Sequence, residues 1–103
     1  MAARTEQFQA LVTRDPDNEL FRFSLAQALE GEGRSAEAEP HYQFCVTKKS
    51  DWMMPRILLG KLQLASGRTA EAKILLDDAL RLAIHQQHET PEAELRALLE
   101  GLR

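Results

Sequence analysis

Apolar positions along the chain recur at the one-, three- and four-residue spacings of a helical face, in segments separated by turn residues. Leu25, Ala26 and Leu29 share one such face. Gly31 and Gly33 close that segment, because glycine accepts a left-handed backbone cheaply. Ser35 is placed to cap the next helix, with Glu37 near its positive end. Ala38, Tyr42, Cys45 and Val46 then form a second apolar stripe. The short side chains of Ala26 and Ala38 would let the two helices approach closely. The pattern predicts a helical hairpin, and Pro40 within its second helix predicts a slight kink or a late helix start.

The hairpin occurs twice. Gly33-Arg34-Ser35-Ala36-Glu37-Ala38 returns as Gly67-Arg68-Thr69-Ala70-Glu71-Ala72, displaced by 34 residues and identical at five of the six positions. The same displacement carries Leu25-Ala26 onto Leu59-Gly60, Tyr42 onto Leu76, and Cys45-Val46 onto Ala79-Leu80. Stepped back by the same interval, the register of Tyr42, Cys45 and Val46 falls on Phe8, Leu11 and Val12. Residues 3–14 therefore read as the second helix of a truncated leading unit, followed by an Asp15-Pro16-Asp17-Asn18 turn. At the other end, Thr90-Pro91-Glu92 reads as a helix start, and the helix expected over 91–102 leaves the repeat's register.

A 34-residue helical hairpin with this order of Leu-Ala or Leu-Gly, Gly, Glu-Ala, a large apolar residue and a small one resembles the tetratricopeptide repeat. The resemblance covers about residues 19–86 in two units, 19–52 and 53–86. It departs from the family pattern at Arg22 and Arg56, where an aromatic is usual, at Gln63, which replaces the Leu29 of the first unit, and at Ser50, which replaces a closing proline. It implies one all-α domain over 1–103, with about six helices as antiparallel hairpins stacked into a short right-handed solenoid. The last helix would cap the final hairpin. The resemblance also implies that the first helix of each pair lines a concave groove, through Leu20, Phe23 and Gln27 in one unit and Met54, Ile57, Lys61 and Leu64 in the next. Phe23 and Ile57 stand where the family's chaperone-tail clamp needs polar side chains, so that clamp is not expected. Trp52 and Met53, at the junction of the units, are a second candidate contact surface.

Composition narrows the function. Thirteen basic against sixteen acidic residues, well interspersed, give a net charge of -3 and no patch for nucleic acid or an anionic membrane. No apolar run is long enough to span a bilayer, and the lone Cys45 suits a reducing compartment, so a cytoplasmic location is expected. His85 and His88 are one turn apart, yet a structural metal wants four ligands, and Cys45 lies at a packing position of the other unit. Asp77-Asp78 reads as a solvated helix face. No enzyme activity, cofactor or metal is expected. The expected function is binding of a peptide or helix from a partner protein in an apolar groove. The alternative is a homo-oligomer whose groove is filled by its own terminal helix or by a second subunit.

Overall fold

In the computed structural model, which describes residues 3–102, the described residues form six α-helices and no strand. They are α1 (Ala3–Arg14), α2 (Glu19–Gly31), α3 (Ser35–Lys48), α4 (Met53–Ala65), α5 (Thr69–His85) and α6 (Glu89–Glu100). Met1, Ala2 and Arg103, included in the single-domain reading of 1–103, lie outside the described residues. The chain divides between Ser50 and Asp51 into two compact units. In the first, α2 packs against α1 and α3; in the second, α5 packs against α4 and α6.

Three of the turns share one construction. After α2, the Gly33 N–H donates to Glu30 O at 2.9 Å and the Arg34 N–H to Leu29 O at 2.9 Å. After α4, Gly67 donates to Leu64 O at 3.0 Å and Arg68 to Gln63 O at 2.9 Å. After α5, Gln87 donates to Ile84 O at 3.1 Å and His88 to Ala83 O at 2.9 Å. Each is a Schellman closure around one left-handed residue: Gly33 (φ 76°), Gly67 (φ 79°) and Gln87 (φ 59°).

This geometry corrects the helix starts expected from capping chemistry. The residue after the left-handed one closes the first helix and begins the next, so Arg34, Arg68 and His88 hold the N-cap positions, without a side-chain cap bond. Ser35 and Thr69 are first helical residues, not caps. Arg34 instead clamps Glu37 through Nε and Nη2, at 2.7 and 2.8 Å, and Arg68 lies 3.7 Å from Glu71. For the same reason α6 begins at Glu89 and not at Pro91, which falls where a missing N–H is still harmless. Pro40 lies inside α3, which runs unbroken from Ser35, so the helix does not start late.

The expected stripes are buried. Leu25, Ala26, Leu29, Ala38, Tyr42, Cys45 and Val46 form the core of the first unit, with Val12 from α1. Met53, Ile57, Ala72, Leu76, Ala79, Ala83 and Leu95 cluster in the second. Burying Leu25, Leu59 or Leu76 contributes about 1.5–3 kcal/mol each. Gly60 shows how closely α4 meets α5: a Cβ there would lie 2.8 Å from Leu76 Cγ and Cδ2. One residue contradicts the core pattern. Gln63, at the register of Leu29, is 5% exposed, and its Oε1 has no hydrogen-bond partner among the described residues.

Candidate functional site

Positions 20, 23 and 27 on α2, and 54, 57, 61 and 64 on α4, are spaced to share one face of each helix. In the first unit, Leu20 is 61% exposed and Gln27 is exposed. Phe23 is half-buried, its ring set edge-on to Tyr42 with centroids 5.9 Å apart. Beneath this face, the Tyr42 hydroxyl donates to Glu30 Oε1 at 2.5 Å. In the second unit, Met54 is 43% exposed, Lys61 is exposed and Leu64 is half-buried.

Ile57 differs from its counterpart Phe23. It is 8% exposed and belongs to the same cluster as Leu95 of α6, which is 2% exposed. The terminal helix thus contributes to covering the α4 face at this position. Beside it, Ile57, Lys61, Glu94, Leu95 and Leu98 line a cleft of about 340 Å3. The second candidate surface also separates into two: Trp52 is half-buried at the N-cap of α4, while Met53 belongs to the second unit's core. A Met at the first position of α4 points into that cluster, so it does not present the flexible contact surface expected of it.

A larger cleft of about 750 Å3 lies in the first unit, walled by Glu6, Gln9, Thr13 and Arg14 of α1 and by Arg34, Glu37 and His41. Leu29 also lines it. Its walls mix both signs of charge, and Arg34 is already held by Glu32 and Glu37. The His41 imidazole is held below its usual pKa by burial and by the Arg22 charge, whose Nη1 lies 3.4 Å from Nδ1.

Cys45 is a packing residue. Its thiol donates to Glu19 O at 3.3 Å, and burial pushes its pKa up to about 11, which disfavours the thiolate. Burial also raises the Tyr42 phenol well above its ordinary value. Asp78 is more than a solvated face, because it pairs with Arg56 at 3.5 Å and with Arg81. The two departures from the family's aromatic position are thereby explained. Arg22 stacks over Phe44 at 4.3 Å, and 34 residues later Arg56 meets Asp78, at the register of Phe44. Each arginine has a partner suited to it at the same place in its hairpin. Aligning whole pairs across the repeat would have revealed this; reading single positions did not.

Comparison with known proteins agrees with this architecture. No family model matches the chain. It is 31% identical over 99 residues to DnaJ homolog subfamily C member 3 of Rattus norvegicus; the alignment takes in 96% of this chain but 19% of that protein's length. It is 28% identical over 97 residues to the TPR repeat-containing protein PA0015 of Pseudomonas aeruginosa, covering 94% of this chain and 92% of the other. Its fold is similar to that of the Yersinia enterocolitica type III secretion translocator chaperone SycD, with a TM-score of 0.88 at 20% identity, over 95% of this chain and 68% of that one. Among the described residues, no helix is long and apolar enough to cross a membrane.

Proposed function

This chain belongs to the tetratricopeptide-repeat family, and on that premise we propose that it is a protein-binding module. Its α2 and α4 faces take up a peptide or helix from a partner protein. One observation carries the reading: Leu20 and Met54 occupy the same repeat position, and both are large apolar side chains left exposed. Ile74 and Ile84 are also exposed, but the register places Pro40 and Ser50 opposite them, so neither is matched by a second long apolar side chain. A large apolar side chain left exposed at the same position of each unit suits an anchor for an apolar ligand on each face. Phe23 and Gln27 share the α2 face with Leu20, and Lys61 and Leu64 share the α4 face with Met54, where they supply shape and polar selectivity. Ile57 acts from beneath, as a core residue that holds α4 in place.

The test is selection of short peptides from a random displayed library, with affinities then measured against Leu20→Ser and Met54→Ser. Loss of an interface anchor costs about 2 kcal/mol, roughly 30-fold in affinity, while helicity is retained. Selected peptides that bind both variants as tightly as the parent protein would remove these faces from the account.

A second reading has its own supporting observation. Leu95 of α6 lies against the same cluster as Ile57, so part of the α4 face is already occupied from within the chain. Self-association through the remaining apolar residues would make the chain its own partner. Light scattering across a concentration series distinguishes the readings: a constant monomer mass counts against self-association, and a dimer abolished by Met54→Ser supports it.

A further inference from the structure

The cleft between α4 and α6 sets the Lys61 of the binding reading opposite a carboxylate, Glu94, that the reading does not use. Its apolar lining is Ile57, Leu95 and Leu98. Lys61 reaches it from α4 and Glu94 from α6, and both side chains are exposed. Among the described residues, neither is engaged in an ion pair or a side-chain hydrogen bond, with each other or with a third group. The cleft therefore has one free cation on one wall and one free carboxylate on the other. At about 340 Å3 it is large enough for a single bulky side chain and too small to hold a whole helix. Because Ile57 and Leu95 are locked into the core, this lining is preformed and needs no ordering on binding.

Resting on the protein-binding reading above, we propose that this cleft receives one apolar side chain of the partner segment and that Lys61 and Glu94 set the segment's direction. The partner places an acidic residue on the Lys61 side of its apolar residue and a basic residue on the Glu94 side. A segment lying the opposite way meets like charges at both walls, which is penalised more heavily than an unpaired charge. The preference weakens as salt is added, since both walls are open to solvent.

The charges can be exchanged without touching the core. Random displayed peptides are selected in parallel against the parent protein and against Lys61→Glu combined with Glu94→Lys. Both pools should be enriched in an apolar residue flanked by opposite charges, with the order of the charges inverted between pools. The best peptide of each pool should lose about tenfold or more in affinity on the other protein, less so at high salt. Pools sharing one charge order, or peptides indifferent to the exchange, overturn the inference. If such indifferent peptides still lose affinity on Leu20→Ser or Met54→Ser, the binding reading stands without the directional pair. If neither pool is enriched, both proposals fall.

Discussion

Gln87 performs a glycine's task, and replacing it should stabilise the protein. It is the left-handed residue of the third Schellman turn, at φ 59°, where the two matching turns use Gly33 and Gly67. A residue with a Cβ pays about 1–2 kcal/mol in that conformation. Glycine removes this strain but loses about 0.5–1 kcal/mol through its greater freedom when unfolded. Gln87→Gly should therefore gain about 0.5–1 kcal/mol, because the Gln87 and His88 N–H bonds to Ile84 and Ala83 are kept. The converse change, Gly67→Ala, isolates the same cost. Nothing lies within 4 Å of a Cβ built there, so the loss of about 1 kcal/mol should be conformational alone. Urea unfolding measures both, and an unchanged m-value would show that stability has changed without a change in the surface exposed on unfolding. A Gln87→Gly protein no more stable than the parent, beside a weakened Gly67→Ala, would refute the equivalence of the three turns.

Two further changes test the packing. Gln63→Leu should stabilise by about 1 kcal/mol or more in the same unfolding assay, since it replaces a buried amide oxygen lacking a protein partner with the residue found at position 29; an unchanged midpoint would mean that the amide is satisfied. Ala72→Leu should cost about 1–3 kcal/mol because Ala72 is fully buried near the crossing closed by Gly60 and Leu76, whereas Ala70→Leu at an exposed position should stay within about 0.5 kcal/mol. Equal melting temperatures for these two variants would contradict the register.

The hairpins were legible because two copies of one packing solution lie in the same chain. Ala38 and Ala72, or Tyr42 and Leu76, are recognisable as core once they are superposed, and each is fully buried. The helix starts were less legible, because the order of bonds in the Schellman turn, and not the chemistry of Ser35 or Thr69, decides which residue comes first. Gln87 escaped notice because no glycine marks its turn. The candidate site was legible only in part. Leu20 and Met54 emerge exposed, but the covering of Ile57 depends on α6. That helix follows an α5 longer than α3 and lies outside the repeat's register, so no second copy indicates where it packs.

The central claim is that partners engage the α2 and α4 faces, and amide chemical-shift mapping with a library-selected peptide tests it most directly. Shifts should concentrate at Leu20, Phe23 and Gln27 and at Met54, Lys61 and Leu64, and they should vanish when Leu20→Ser and Met54→Ser are combined. Shifts centred instead on Glu6, Arg14 and His41, around the polar cleft of the first unit, would contradict the account.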